Sequence, residues 1–519
     1  MRPLGYAYLN EHYALLLPKL GVEVYQDPNT DAEQTINYGG GKRKILPKHR
    51  KYSDNPYDQM HVAIKHQGIR LHFFAAMFGK VDRQEFSAFI AKKPTSEYNR
   101  VLWFLYEWLT DTRLDIPDLK SGNYVKLFND EFYYTLNEGV RNKRTRIINN
   151  AIGTSDFCPT IRKTANVKAL EKIDVYKTAY SKMQGVGDLL SADTIGRSIN
   201  YLYTKETRSS TEIENEQPGK QRMQRFLNAI KNVGLYELSK QSLLNVQNQI
   251  VADNMKASDY RQSDIYVGTT IQRYSMQDED VHYIGARHEH LESMMNGLFK
   301  LHDNLMVDRS VPPLMHATLL SFGEVYIHPF DDGNGRLHRY LIHDVMKHRE
   351  PDHKFIIPIS AAILKNQSKY DAVLEVISRP IMAMLDYHFD ESKNLVINND
   401  IDYMYRFPDY TEHVKFVYEM METAVSDDLM SEICLLMVFD QLKKFLGSQV
   451  DLPNSKFDAI VSIVIQNAGT VSKRKRASIE QQLGLELMES LQIMAQQLIG
   501  SIKERFGVDV VKMINSPDS

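Results

Sequence analysis

Along most of this chain, apolar residues recur three and four positions apart, the spacing that lines one face of an α-helix. The tightest early case runs from Val101 to Thr110, where Trp103, Phe104, Tyr106, Glu107 and Trp108 crowd into one predicted helix. Both tryptophans of the protein lie there, which marks a packed core rather than a ligand site. From Ser191 the spacing of Ile195, Ile199, Leu202 and Tyr203 predicts a helix that runs into the acidic, serine-rich stretch Ser209 to Asn215 and is closed by Pro218-Gly219. Another starts near Gln221 on Met223, Phe226, Leu227 and Ile230. Between Ser263 and Ala286 the period drops to two. Ile265 to Gly268 and Val281 to Gly285 read as strands of a β-hairpin, joined by a long polar loop containing Asp278, Glu279 and Asp280. Pro312-Pro313 opens a helix on Leu314, Leu319 and Phe322, and Leu337, Leu341 and Val345 stripe the next. Ile356 to Leu364 is a buried apolar segment, another helix begins at Lys369, and beyond residue 400 Phe416, Met420, Ile433, Leu436, Phe439 and Leu442 keep the period helical.

The predicted fold is therefore mainly α: a helical core carrying one hairpin, an N-terminal mixed or helical domain, and a C-terminal helical domain. The boundaries are 1–175, a pre-core helix over 176–222, the core over 223–395 with its hairpin at about 263–287, and 396–519. With 519 residues, 43% of them apolar, the chain can bury several cores. A net charge of -3 supplies no bulk attraction to nucleic acid, so a nucleic-acid partner is not expected. Two basic runs, Gly39 to Lys51 and Lys473 to Arg476, are read as a solvated loop and a solvated helix entrance; the first is no Walker loop, because Arg43 follows Lys42. Cys158 and Cys434, far apart, fit a reducing compartment, and Cys158 reads as a small buried hydrophobe. Leu15 to Leu17 are stopped by Pro18 and Lys19, so no secretion signal is read. No apolar run reaches membrane-spanning length, and the expected location is cytoplasmic. Arg287-His288-Glu289-His290 is read as a helix start, since two histidines and one acid in a row make no coordination shell.

The chemistry concentrates in His328 to Arg339, HPFDDGNGRLHR. Pro329 biases His328 out of the α region, so the preceding helix should end there and leave the imidazole at the mouth of a turn. Gly333, Asn334 and Gly335 allow a tight turn that opens into a helix, whose unpaired first amides and positive dipole end suit a phosphate. Arg336 and Arg339, three apart, share a helical face away from the buried stripe and can grip the outer phosphates of a nucleotide. Asp332 can carry a Mg²⁺ bridging two phosphates. Each piece alone is commonplace. All of them within twelve residues, ordered around one anion, describe a nucleoside triphosphate poised for attack at phosphorus.

The stretch resembles the signature of the Fic family, HPFx[D/E]GNGRxxR, at every fixed position, and the likeness extends over roughly residues 185–390, with the hairpin similar to the family's flap. The resemblance implies a Fic-type helical core and adenylyl transfer from ATP to a Ser, Thr or Tyr hydroxyl of a target protein docked on the flap, the chain itself included. It implies His328 as general base and Asp332 as the Mg²⁺ ligand. Amides of Gly333 to Arg336 and the Asn334 side chain would face the α-phosphate, Arg336 and Arg339 the β- and γ-phosphates, and Asn366 and Tyr370 the adenine. Phe330 is assigned to the core. Ser210-Thr211-Glu212-Ile213-Glu214-Asn215 fits the family's inhibitory pattern [S/T]xxxE[G/N], which implies that Glu214 pairs with Arg339 and holds ATP in an unproductive pose, in the subclass whose inhibitory helix precedes the core. Two alternatives stay open: removal of AMP through the same residues with Glu214 aligning water, and a non-enzymatic DNA-binding or interaction protein resting on the basic runs. Donor preference, target and a homo-oligomeric state are left open by the residues.

Overall fold

A computed structural model describes residues 1–39, 41–187, 192–273 and 276–514. Gly40 of the glycine-rich run, Ser191 at the start of the helical pattern and the tip of the hairpin lie outside them. The chain divides into two compact units that are discontinuous in sequence. The first comprises 1–169, 234–349 and 371–415; the second comprises 170–233, 350–370 and 416–519. Hydrophobic period marks elements and not which of them share a core, and each unit gathers three segments distant in sequence.

In the first unit, a four-stranded sheet opens the chain: Arg2–Leu4 pairs antiparallel with Val22–Gln26, which pairs parallel with Gly41–Leu46, and that strand pairs antiparallel with Gln34–Tyr38. The basic run expected to be a loop thus contains a strand over Gly41–Leu46. Its Ile45 and Leu46 are buried, while its cations meet acids and rings: Arg43 contacts Glu23 at 3.4 Å and lies over Tyr25 and Tyr38, and Lys44 contacts Glu33 at 2.8 Å. Helices Pro56–Gln67, Leu71–Phe78 and Glu97–Thr110 build the adjoining core, with Trp103 fully buried and its indole N–H donating to Glu107 at 2.8 Å.

Helices Leu291–Asp308, Pro313–Ile327 and Asn334–Arg349 form the functional core of the same unit. Phe157 seats against Gly297 and Gly323, where an added Cβ would come within 2.8 Å of its ring or backbone, so those two glycines set the spacing of the first two helices. Leu337, Leu341 and Val345 form the buried stripe read from their spacing, each such side chain contributing about 1.5–3 kcal/mol. Cys158 is buried and burial pushes its thiol up to about 12, as befits a packing residue.

The hairpin pairs Tyr266–Arg273 with Met276–Ile284 antiparallel, with an irregularity at Val267/Gly268. Where a long polar loop was expected, the described residues are strand: Asp278, Glu279 and Asp280 lie opposite Ile271, Thr270 and Thr269. A two-stranded ribbon with little to bury does not need apolar alternation, so the sequence pattern that marks half-buried strands stops short of its real length.

The second unit is helical and includes Ala192–Ile213, Lys220–Lys231, Ile359–Lys365, Met430–Gln449, Asn454–Gln466 and Leu485–Phe506. The Ala192–Ile213 helix is fastened by buried polar contacts. Glu206 accepts from the backbone N–H of Ser360 at 2.9 Å, and Lys205 contacts Asp428 at 2.9 Å and Glu432 at 3.2 Å. No helix among the described residues is long and apolar enough to cross a membrane.

Candidate active site

The Pro313–Ile327 helix ends at His328, and that residue lies outside the right-handed α region, as Pro329 predicts. The conformation it takes is left-handed, with φ 58° and ψ 59°. Its N–H still reaches the Glu324 carbonyl at 2.9 Å, so it caps the helix, in a conformation that costs a side chain such as histidine roughly 1–2 kcal/mol. The imidazole Nδ1 lies 3.1 Å from the Val325 carbonyl. A carbonyl can only accept, so Nδ1 carries the proton and the basic lone pair belongs to Nε2.

The carbonyls beyond the last helical bond are taken up from the flanks of the hairpin. The Tyr283 hydroxyl donates to Tyr326 O at 2.6 Å and the Ala286 N–H to Ile327 O at 3.3 Å. Arg261 donates through Nε to His328 O at 2.8 Å and through its backbone N–H to Pro329 O at 3.0 Å. Four successive acceptors that a helix end leaves unpaired thus gain donors in a buried setting. Gly285 makes this approach feasible, since a Cβ there would lie 2.9 Å from the His328 Cβ.

After His328 the chain turns through Phe330, which is fully buried beneath the loop. Gly333 has φ 93°, and a Cβ on it would meet Val251 at 2.8 Å. Asn334 begins the next helix with its side chain turned back onto the loop: Nδ2 donates to the Phe330 carbonyl at 2.7 Å and Oδ1 accepts from the Phe330 N–H at 3.1 Å. This side chain, which the family resemblance turns toward a phosphate, here shapes the turn, and the first backbone amides of a helix start suit an anion.

Arg336 and Arg339 are both buried rather than displayed on a solvated face. Arg336 donates to the Ile250 carbonyl at 3.0 Å and to Asp332 at 3.1 Å. Asp332 keeps 30% of its side-chain surface exposed at the mouth of the turn. Exposed Asp331 adjoins it, and an accessible carboxylate beside a helix start suits Mg²⁺, which takes one or two carboxylates and completes its shell with water and phosphate oxygens.

Below the loop, Glu324, His338 and His413 are fully buried. Burial lifts the Glu324 carboxyl well above its ordinary range, favouring its neutral form. Burial first, and then the Arg339 charge, brings His338 down to about 3; burial likewise holds His413 at about 3, with Nε2 2.8 Å from the Tyr326 hydroxyl.

A model of the Fic/DOC family matches residues 237–346. Residues 237–346 are a Fic/DOC domain. Solved structures that resemble the chain include two Fic proteins. A Fic domain containing signaling protein from Bacteroides thetaiotaomicron VPI-5482 is 16% identical and is matched over 50% of this chain and 96% of its own, with a TM-score of 0.33. A Fic family protein from Desulfovibrio desulfuricans G20 is 14% identical and is matched over 61% and 86%, with a TM-score of 0.31. The family is one of transferases, known for nucleotidyl transfer.

The Fic domain brings together all the motif residues, from His328 through Asp332 to Arg339, within the first compact unit. Ser210, Glu214, Asn215, Asn366 and Tyr370 belong to the second. There Ser210 is buried near the end of the Ala192–Ile213 helix, and Glu214 is exposed just past it. Asn215 follows with φ 55°; its N–H donates to Glu212 O at 2.9 Å and that of Glu216 to Thr211 O at 3.4 Å, the paired bonds of a Schellman ending. Asn366 caps its own helix through Ala362, and buried Tyr370 stacks on Phe416 at 5.9 Å.

The sequence reading passed over Arg261, Tyr283 and Gly285. An arginine shortly before the first hairpin strand is the one sequence signal that points to the first. It also passed over Asp400, which lies 110 residues from His290 and meets its Nε2 at 2.9 Å, near Glu289. That trio is an ion-pair cluster, with the His290 imidazole raised by its bond to Asp400.

Proposed function

We propose that this chain is an autoinhibited protein adenylyltransferase that moves AMP from ATP to a hydroxyl side chain of a target protein. The observation that carries the reading is the Nδ1 tautomer of His328 at the head of a loop that ends in a helix N-terminus and two buried arginines. In this reading His328 Nε2 takes the proton from a target Ser, Thr or Tyr hydroxyl, and that oxygen bonds to the α-phosphorus. The bond from the α-phosphorus to the bridging oxygen breaks, and pyrophosphate leaves with the electron pair. The first amides of the Asn334–Arg349 helix face the charge that develops on the α-phosphate. Arg336 and Arg339 hold the β- and γ-phosphates and so orient the α-phosphate in line. Asp332 would hold Mg²⁺, which when bound neutralises phosphate charge. Asn366 and Tyr370 are the proposed adenine contacts, and the hairpin the dock for the target. Glu214 restrains the site by pairing with Arg339 and denying that guanidinium to the γ-phosphate.

The test compares wild type, Glu214→Gly and Glu214→Gly/His328→Ala for self-modification with labelled ATP and Mg²⁺. Glu214→Gly should label more strongly than wild type, and the double variant should not label. Mass spectrometry after incubation with a nucleotide mixture names the donor through the mass added. Equal, low labelling of wild type and Glu214→Gly removes the inhibitory assignment; labelling that survives His328→Ala removes the base.

A further inference from the structure

Of the groups that fasten the hairpin to the end of the Pro313–Ile327 helix, Arg261 alone reaches three carbonyls with one side chain. Nε donates to His328 O at 2.8 Å and Nη1 to Ser263 O at 2.6 Å, while Nη2 donates to Ala286 O. Ser263 lies just before the hairpin and Ala286 just after it, so the fork spans both of its roots. Only a planar guanidinium presents donors along divergent directions in fixed geometry; an ammonium on a flexible stem does not. The side chain is fully buried, with Asp264 at 3.9 Å as its nearest acid. Burial pulls its pKa down to about 10, which leaves it charged at neutral pH, held by three carbonyl dipoles. The His328 carbonyl it grips belongs to the left-handed residue whose imidazole must keep Nδ1 on Val325. Turning that peptide would swing the ring away from its carbonyl partner.

We infer that Arg261 is a positioning residue for the transfer reaction: by clamping the His328 carbonyl to both roots of the hairpin, it holds the imidazole in the tautomer and direction that a base needs. The seating of the hairpin then sets the base. The inference rests on the adenylyl-transfer reading for its kinetic consequence, and stands on the imidazole itself for its structural one. No contact with nucleotide is assigned to Arg261, which separates its effect from that of Arg336 and Arg339.

The experiment uses the full chain in the Glu214→Gly background with Arg261→Met and Arg261→Lys. Transfer rate, ATP affinity and thermal midpoint are measured, together with ¹⁵N-histidine spectra in which His328→Ala identifies the ring. Arg261→Met should lower kcat on the order of 10²-fold, the usual consequence of a displacement of about 1 Å, with ATP affinity changed less than about threefold. His328 should lose its single Nδ1–H tautomer. Arg261→Lys, which keeps the charge without the fork, should fall between. Unchanged transfer in Arg261→Met overturns the inference, as does a parallel collapse of ATP affinity and thermal midpoint, or an unaltered His328 tautomer. Should Arg261→Met not fold, Arg261→Lys decides by the same tautomer readout. Should the Glu214→Gly parent transfer nothing, the adenylyl-transfer reading fails by itself, and the His328 spectrum still judges the clamp.

Discussion

Two helix ends carry the proposed chemistry, and both close on a non-glycine residue in the left-handed region: His328 at φ 58° and Asn215 at φ 55°. Asn215 needs little help. Asparagine tolerates this conformation, and the Schellman bonds of Asn215 and Glu216 satisfy the carbonyls of the same helix, so the ending at Glu214 is local. His328 has no such ease. Its conformation is held from outside by donors that come from residues 261, 283 and 286, far along the chain from the turn they support. The proposed inhibitory residue therefore sits on a self-sufficient end, and the proposed base on one that depends on tertiary contacts. A strained backbone at a reactive residue, over-determined by its surroundings, is a recurrent feature of active sites.

Variants can break this comparison in order of effect. The largest change is expected at the ring itself: His328→Ala in the Glu214→Gly background should cut transfer by at least about 10³-fold, to the labelling background, while ATP still binds by equilibrium dialysis. Next comes the support. Gly285→Ala places a methyl 2.9 Å from the His328 Cβ and should lower transfer roughly 10²-fold with ATP affinity kept; unaltered kcat would show that the hairpin root need not lie so close.

Stability of the packing below the site should depend on pH. His338 and His413 are held at about 3 when folded, against about 6.5 in an unfolded chain. Between those values the unfolded state binds protons that the folded state refuses. Stability is therefore complete above pH 6.5 and falls as pH drops towards 3, by about 1.4 kcal/mol per pH unit for each histidine. Urea midpoints at pH 7, 6 and 5 measure it, and a flat profile over that range would show that the two rings accept protons in place. The smallest effects belong to the self-sufficient end. Asn215→Ala should cost roughly 1–2 kcal/mol through the left-handed penalty, and Asn215→Gly should stay within about 0.5 kcal/mol, both by thermal unfolding. An Asn215→Gly loss as large as that of Asn215→Ala would mean that the asparagine side chain, not its backbone, matters.

What could be read in advance follows the same division. The loop His328 to Arg339 is local: a histidine before proline, a Gly-Asn-Gly turn and a helix start are decided within a dozen residues, so the motif, the helix ends at His328 and near Glu214, and the buried stripe Leu337, Leu341 and Val345 were legible. The hairpin was legible only where its strands are half-buried. Its outer half pairs Thr269 and Thr270 with Asp280 and Glu279, residues that read as loop because backbone bonding between two strands leaves no mark on a solvated face.

The sequence by itself determined that a glycine-turn helix start with a histidine before it would form, and that most of the chain would be helical, because hydrogen bonding within a helix and the conformations open to Gly, Asn and Pro act over a few residues. Tertiary structure alone decided that Asn334 braces the turn, that Arg336 and Arg339 are buried, and that Arg261 and Gly285 meet His328 across more than forty residues of chain. Those outcomes depend on which unpaired carbonyl lies beside which donor once the core has closed, and no spacing along the chain encodes that proximity.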